Sequence, residues 1–415
     1  MAATVMVSGA GEAAVSGVSL VDTLNILLIN IFSSLATGGA VVAARYLGNK
    51  NSEKACRAAN QLLLSITVLS LAVMVIALIG NRSVLHFIYG SIDPEVMKHA
   101  VTYFYLTALS FPFLAIYSGS AALCRSMGNS KTTMMTSLLV NIINVTGNAI
   151  LVFGLGMESG GVGTSTLISR AVGAVIMLCV IHNQKLPLHI DVRFRLGFHP
   201  AMIRKICSVG IPTGIDNSIF QVGKLIVQSL VASYGTTAIA ANAVANTVSG
   251  FVVIPASSIG LAAITVIGQC MGAQAFDDVK YYVKKLMKIS YLSMLILNIV
   301  FLLLSKQIVS IYQLSPQASD MAWKILFSYS IMATLLWPSA FTLPNVLRAS
   351  DDAKYTMYVS IFSMWIWRVA LSYLLDHFFH MGLYGTWIAM YVDWVCRAAF
   401  FLIRIARKKW TGVTA

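Results

Sequence analysis

The sequence predicts an all-α integral membrane protein made of two parallel six-helix repeats, and three observations support this. First, 58% of the 415 residues are hydrophobic and only 11% are charged, which is more apolar surface than a domain facing water can hide. Second, the basic residues alternate between the two sides of the apolar segments. Third, stretches of the first half recur in the second half at a nearly constant offset.

Eleven apolar stretches are long enough to cross a membrane completely. About 20 apolar residues cross the hydrocarbon core as a helix, which pairs its own backbone polar groups. We place these spans at 18–44, 56–80, 99–123, 133–156, 161–182, 206–234, 236–267, 286–304, 321–347, 355–379 and 383–405.

The basic residues indicate which side of the membrane is cytoplasmic. Of the 29 Lys and Arg, 21 lie in alternate connections and the span ends that flank them, four lie on the opposite side (Arg82, Lys98, Lys306 and Lys324) and four lie deeper inside spans. The stretches that hold the 21 are 45–57, 125–131, 185–205, 280–288, 348–354 and 404–409. The positive-inside rule produces this asymmetry. We therefore expect a multi-pass protein of the cell inner (plasma) membrane with a cytoplasmic C-terminal RIARKK segment. The net charge of +14 is explained by topology, so we expect no nucleic-acid partner.

An internal repeat relates the two halves of the chain. LCRSMGNSKTTMM at 123–135 resembles VLRASDDAKYTMY at 346–358 at an offset of 223, and GEAAVSGVS at 11–19 resembles GTTAIAANA at 235–243 at an offset of 224. At that offset the span 206–234 lacks a complete partner, so we expect a twelve-helix architecture whose first helix is largely missing. An even number of spans in each half makes the two repeats parallel.

The repeat also predicts the domain organisation. We expect an N-terminal lobe of residues 1–183, with a remnant of helix 1 and helices 2 to 6. A cytoplasmic linker, 184–205, would connect it to a C-terminal lobe of residues 206–415 with helices 7 to 12.

Several motifs resemble those of bacterial multidrug and toxic compound extrusion (MATE) transporters. PTGIDNSIFQVGKL at 212–225, followed by SYGTTAIAANAVANTVSGF, resembles the family's seventh and eighth helices. VSGAGEAAVSGVSLVDTLN and ATGGAVVAARYLGNKN are similar to the end of its first helix, its second helix and the following basic loop. LCRSMGNSK and LRASDDAK are similar to the loops after its fourth and tenth helices. The resemblance covers essentially the whole chain apart from the missing first helix.

The resemblance implies two six-helix lobes that face a central cleft. It implies alternating access that exports amphiphilic, usually cationic, drugs or toxins by antiport with sodium or protons. The acidic position of the family's seventh helix falls on Asp216. Ala3 stands where the family's first helix usually carries an aspartate, and Trp337 lies at or near the acid of the tenth helix. We expect a monomer in the lipid bilayer, with a small-molecule substrate and no cofactor beyond the coupling ion.

Two charged residues lie within the span 206–234. An intramembrane charge is costly and usually faces a bundle interior or an aqueous cavity. Asp216 and Lys224 are roughly 12 Å apart along a helix, which is too far for an ion pair, so each needs another partner. Asn217 and Gln221 lie near the same side. We therefore interpret Asp216 as the carboxylate that binds the coupling cation or proton, with a structural hydrogen-bonding group as the alternative. Lys224 either joins that site or extends towards an interface.

Polar residues in other spans allow two interpretations. Asn144 and Asn148, with Asn141 on the same helix face, either line a cavity or join helices by hydrogen bonds. The same choice applies to Asn246 in the eighth helix, and to Asp22 with Asn25 in its repeat partner. Because Asp22 matches Asn246 across the repeat, packing does not require an acid there, which favours a functional Asp22. Asp393 and Arg397, at i and i+4, are predicted to form a structural pair.

Enzyme motifs are absent from the sequence. It has no Gly-rich phosphate loop, no HExxH and no GxSxG, and its six cysteines are scattered without metal-binding spacing. We therefore expect a transporter that is not an enzyme. Two alternatives remain. One is a flippase for lipid-linked oligosaccharides from a related family, which would carry more cationic cavity residues. The other is a truncated membrane protein that does not transport.

Overall fold

The computed structural model describes residues 12–90, 93–190 and 197–407, and every regular element in these ranges is a helix. The all-α prediction is thus confirmed. Ala3, the predicted remnant of helix 1 and the end of the RIARKK segment lie outside the described residues.

The chain divides into two compact units, Met1–Gly214 and Ile215–Ala415. The division falls inside one long helix, Pro200–Ala232, which continues through Pro212. The lobe limits of 1–183 and 206–415 remain a prediction.

The first unit contains seven helices and the beginning of an eighth. They are α1 (Glu12–Gly48), α2 (Ser52–Ile79), α3 (Asn81–Tyr89), α4 (Pro94–Leu109), α5 (Phe111–Ser126), α6 (Ser130–Asn148), α7 (Glu158–Ile181) and α8 (Pro200–Ala232). The longest, α1, packs against α2, α4 and α5.

The second unit contains nine further helices after the end of α8. They are α9 (Thr236–Val252), α10 (Ile254–Gly272), α11 (Phe276–Leu303), α12 (Ser305–Ile311), α13 (Pro316–Trp337), α14 (Leu343–Ala349), α15 (Ala353–Ser363), α16 (Leu371–Phe379) and α17 (Gly382–Ala406). Helix α13 packs against α9, α11 and α17, and α10 packs against α11 and α14.

Small residues let the helices of the first unit approach closely. A Cβ atom at Gly17 of α1 would lie 2.8 Å from the backbone nitrogen of Ala100 in α4, and Gly39 faces the side chain of Leu62 in α2. Such contacts are the usual basis of helix association in membranes. The close approach at Gly17 brings Asp22, little more than one turn later on α1, within reach of α4.

Aromatic rings form much of the core of the second unit. The ring of Tyr329 on α13 packs edge-on against Trp387 and Trp394 of α17, with centroids 5.8 and 5.7 Å apart. Such pairs add to the stabilisation from buried area. They hold α17 in place, and Trp387 also lines a cavity that contains Lys224 and Arg368.

Two predicted spans consist of two helices each. The span 99–123 is α4 followed by α5, bent by 46° at a break near Ser110, with Pro112 in the first turn of α5. The span 236–267 is α9 followed by α10, with Pro255 in the first turn of α10. Proline lacks a backbone N–H and cannot continue the preceding helix without a lost hydrogen bond, which explains both breaks.

π-helical turns interrupt three more spans, at Ala149–Gly154, Pro338–Thr342 and Met364–Ala370. Such turns are rare and often occur at functional sites. The third of them carries Arg368, a cation inside the span 355–379.

Nine of the eleven predicted spans coincide with helices suited to crossing a membrane. Eight described segments are long and apolar enough, or nine if the bent pair α4 and α5 is one span. The other two predicted spans, 206–234 and 383–405, are helical as α8 and α17, but polar groups such as Asp216 and Asp393 reduce their apolar character. The multi-span fold is confirmed, whereas the repeat count remains a prediction.

Candidate functional site

Asp22 presents a carboxylate between the helices of the first unit. The hydroxyl of Tyr103 on α4 donates to Asp22 Oδ1 at 2.9 Å. Arg170 on α7 is close enough to interact electrostatically with Asp22, but its Nη1 donates to Ser110 Oγ at 2.7 Å. Within the described part of the chain, no basic group lies within 4.0 Å of this carboxylate. Asp22 is therefore an intramembrane acid with a hydrogen bond but no direct ion pair.

Asn25 adds an oxygen atom near Asp22. It is 3% exposed, and its Oδ1 is buried with no donor among the described residues, which is rare for a buried polar atom. Residues at i and i+3 lie on the same helix face. Hard cations bind oxygen ligands, and a protonated carboxylic acid can donate a hydrogen bond. The group defined by Asp22, Asn25 and Tyr103, the first-unit acid site, can thus accept either a cation or a proton.

Asn144 joins α6 to α7 in the first unit, and Asn148 contacts Asn144 within α6. Asn144 Nδ2 donates to Thr166 Oγ1 at 3.3 Å and to Ser169 Oγ at 3.4 Å. Asn148 Nδ2 donates to Asn144 Oδ1 at 3.3 Å. These contacts favour the interpretation as interhelical hydrogen bonds over the lining of a cavity.

Asp216 forms a buried ion pair in the second unit. It is 5% exposed, and Arg348 Nη2 of α14 lies 2.6 Å from its Oδ2. Arg348 Nη1 donates to Asn345 Oδ1 at 2.8 Å. The predicted partner from another helix is therefore present, and it is a basic residue that neutralises the carboxylate. Asn217 and Gln221 follow on α8, both half-buried.

The position of Arg348 differs from its assignment by sequence. In the sequence analysis, Arg348 belongs to the basic stretch 348–354 of a cytoplasmic connection. The structure places it in the last turn of α14 with 14% of its side chain exposed. Charge asymmetry locates a basic residue near a membrane face but does not identify the acid that it contacts.

Lys224 does not join Asp216 but faces a separate cavity in the second unit. The cavity, termed the cationic cavity, is partly open and has a volume of about 30 Å³. Asn246, also predicted as a site residue, lies in its wall. Its lining residues are Lys224, Val227, Gln228, Val231, Asn242, Asn246, Arg368, Thr386, Trp387 and Met390.

Asp393 and Arg397 form the predicted pair within α17. Arg397 Nε lies 2.8 Å from Asp393 Oδ1, and the two side chains are 3% and 0% exposed. Ser363 Oγ also donates to Asp393 Oδ1, and Arg397 Nη2 donates to the carbonyl oxygen of Ser360 at 3.1 Å.

Within the described ranges, no group of three or more His, Cys, Asp or Glu side chains is suited to a metal ion.

Sequence reasoning did not assign several residues to these sites, among them Tyr103, Arg170, Gln228 and Arg368. Arg170 and Arg368 gave a usable signal, because arginines inside apolar spans are rare and usually functional. Tyr103 and Gln228 gave none, since a lone Tyr or Gln is common in membrane helices and only packing shows its contacts.

Comparison with known proteins agrees with this architecture. The MatE family model matches residues 1–150 and 212–374. The chain is 26% identical over 401 residues to uncharacterized transporter YisQ of Bacillus subtilis, covering 94% of this chain and 86% of that protein. It is also 26% identical over 412 residues to probable multidrug resistance protein NorM of Thermotoga maritima, covering 96% and 85%.

A solved structure of similar fold is the outward-facing conformation of a multidrug resistance MATE family transporter of the MOP superfamily. Its TM-score is 0.92 at 18% identity, with 100% of this chain and 92% of that chain covered. The match of the family model to most of the sequence confirms the resemblance seen in the motifs. The chain therefore belongs to the MatE family, whose members are membrane transporters and not enzymes.

Proposed function

We propose that this chain exports amphiphilic small molecules by secondary active antiport, and that the first-unit acid site binds the coupling ion. Sodium and protons both remain candidates. Alternating access would expose this site and the substrate site first to one side of the membrane and then to the other. The proposal includes a plasma-membrane location with the C-terminus in the cytoplasm.

One observation carries the proposal: Asp22 is an intramembrane carboxylate that has no direct ion pair among the described residues. A carboxylate in an apolar span is costly even with Arg170 close enough to attract it, so its presence favours a functional role. Tyr103 orients the carboxylate with a 2.9 Å hydrogen bond. The buried Oδ1 of Asn25, which has no donor in the described part of the chain, supports an ion or proton as the missing partner.

The ion pair of Asp216 supports assigning the coupling role to Asp22. A cation that bound to Asp216 would first have to displace Arg348, which lies 2.6 Å away. Separating a buried ion pair leaves a charge without compensation. We therefore propose that Asp216 positions α14 relative to α8, whereas Asp22 changes its bound ion during transport.

Efflux from proteoliposomes tests the proposal. Vesicles containing the purified protein would be loaded with one cationic or one anionic fluorescent dye, and sodium and pH gradients would be imposed separately. We expect one gradient to drive efflux, which identifies the coupling ion. Export without dependence on either gradient would contradict antiport.

Two variants make the test specific to Asp22. Asp22→Asn removes the charge with little change in shape, and we expect it to abolish gradient-driven efflux. Asp320→Asn is a matched control, because Asp320 pairs with Lys324 at an exposed position, and we expect efflux like that of the unmodified protein. Normal efflux by Asp22→Asn would show that Asp22 is not the coupling group.

A further inference from the structure

Two cations in the second unit face one cavity whose lining residues include no carboxylate. Lys224 comes from α8 and Arg368 from the π-helical turn Met364–Ala370, and they are close enough to repel each other electrostatically. Within the described residues Lys224 has no hydrogen bond or ion pair, and the buried Nε of Arg368 has no acceptor. Two like charges that face one cavity repel each other, and an anion bound between them would compensate both.

No carboxylate of the cavity wall supplies this compensation, since its ten lining residues include no Asp or Glu. Asp393 interacts electrostatically with Arg368. Its Oδ1 binds Arg397 at 2.8 Å and Ser363, and its buried Oδ2 has no hydrogen bond among the described residues. One carboxylate thus serves two arginines, and Lys224 adds a further positive charge. The cationic cavity keeps an excess of positive charge.

The other polar residues of the cavity are held in fixed positions. Asn242 Nδ2 donates to Gln228 Oε1 at 2.9 Å, and Trp387 Nε1 donates to Asn242 Oδ1 at 3.1 Å. This contact orients the Gln228 amide through its oxygen. Its amide nitrogen makes no hydrogen bond among the described residues and is available as a donor. The donors and cations therefore converge on one space before any ligand enters, which lowers the entropic cost of binding.

Apolar side chains complete the wall. Trp387, Met390 and Val227 line the same cavity, and Met and aromatic side chains adapt to varied apolar ligands. The cavity is small, about 30 Å³, which is room for about two water molecules. It therefore suits the small charged head of an amphiphile, whose apolar part would lie against Trp387 and Met390 at the open side.

We infer that the cationic cavity binds the oxyanion head, a carboxylate, sulfonate or phosphate, of an amphiphilic substrate. The planar guanidinium of Arg368 matches such groups, and Lys224 adds a point charge. A cationic dye would instead meet two like charges, so the expected substrate charge is opposite to the one that the family resemblance implies. The inference rests on the proposed export function and specifies the substrate class.

Equilibrium binding to the purified protein in a neutral detergent tests the inference without any ion gradient. Anilinonaphthalene sulfonate is the anionic probe, and N-phenylnaphthylamine, which has the same aromatic frame without the sulfonate, is the matched neutral probe. Lys224→Met and Arg368→Met should each weaken sulfonate binding by about tenfold or more, because hydrogen bonds to charged groups are the stronger ones. Binding of the neutral probe should not change.

Control variants separate this effect from general damage. Lys324→Met removes an exposed lysine that is paired with Asp320, and Lys224→Arg keeps the charge in the cavity, so both should bind the sulfonate normally. If Arg368→Met does not fold, Lys224→Met still tests the inference. The Lys224 side chain is exposed, so its replacement should leave folding unchanged. Unchanged sulfonate binding by a folded Lys224→Met protein would overturn the inference, as would an equal loss for both probes.

Competition identifies the source of the oxyanion. Displacement of the probe by benzenesulfonate would indicate a free amphiphile, and displacement only by short-chain phosphatidylglycerol would indicate a lipid head group, the chemistry of the flippase alternative. Either result supports the oxyanion site, whereas displacement by neither overturns it. If binding is present but gradient-driven efflux is absent, the export proposal fails and the binding site stands.

Discussion

The two units each hold an aspartate on a long helix, and the two carboxylates differ in their partners. Asp22 of the first unit accepts one hydrogen bond from Tyr103 at 2.9 Å and has no direct ion pair within the described residues. Asp216 of the second unit lies 2.6 Å from Arg348. We expect the carboxylate with the neutral partner to exchange an ion, whereas the one with the basic partner is already neutralised.

This difference shows that position in an apolar helix does not by itself define an ion site. An intramembrane acid can be compensated permanently by a basic residue or temporarily by a transported ion, and only its contacts distinguish the two cases. The arginines of the two units differ in the same way. Arg348 binds a carboxylate, whereas Arg368 faces a cavity without one.

The largest effect on stability is expected from breaking the pair of Asp216 and Arg348. Arg348→Met leaves a buried carboxylate without its partner and should destabilise the protein by about 3–5 kcal/mol. Thermal unfolding in detergent would measure this change. The variant with both Asp216→Asn and Arg348→Gln removes both charges and should recover most of the stability. An Arg348→Met protein as stable as the unmodified one would contradict a structural role for this pair.

A smaller effect is expected from Tyr103→Phe, which removes the hydrogen bond to the Asp22 carboxylate. Hydrogen bonds to charged groups contribute about 1.5–3 kcal/mol, so a loss in this range should appear in thermal unfolding. Tyr329→Phe is the matched control, because its hydroxyl donates to the carbonyl oxygen of Ser249 at 3.3 Å, a neutral and longer contact. If Tyr329→Phe lowers the free energy of unfolding as much as Tyr103→Phe does, the Tyr103 hydrogen bond is no stronger than a neutral one, which would contradict a charged Asp22.

The smallest effect is expected from Asn144→Ala in the first unit. Its donors lie 3.3 and 3.4 Å from their acceptors, and interhelical bonds of this kind average about 0.6 kcal/mol. Unfolding and dye efflux should therefore both stay close to those of the unmodified protein. A large loss of efflux in a stable Asn144→Ala protein would instead place Asn144 in the transport site.

Local features of this molecule were predictable from the sequence, because they depend on neighbouring residues. Apolar length predicted the spans, and the i, i+4 spacing of Asp393 and Arg397 predicted their pair. The bend near Ser110 was missed, although Pro112 was visible. A single proline in a long apolar run allows a continuous or a bent helix, and packing decides between them.

The contacts that define the sites were not predictable, because they join distant parts of the chain. Asp216 and Arg348 are 132 residues apart, and Lys224 and Arg368 are similarly distant. Helical periodicity constrains only residues within a few turns. The sequence therefore identified Asp22, Asp216 and Lys224 as candidates without showing that their partners would be a tyrosine, an arginine and a second cation.

Efflux by two charge-neutral variants, measured side by side in proteoliposomes, tests the central claim most directly. The first is Asp22→Asn, and the second combines Asp216→Asn with Arg348→Gln, which removes the second-unit acid without leaving a buried charge unpaired. We expect gradient-driven efflux to be lost in the first variant and kept in the second. Efflux kept in Asp22→Asn and lost in the folded double variant would assign ion coupling to Asp216 and contradict the account.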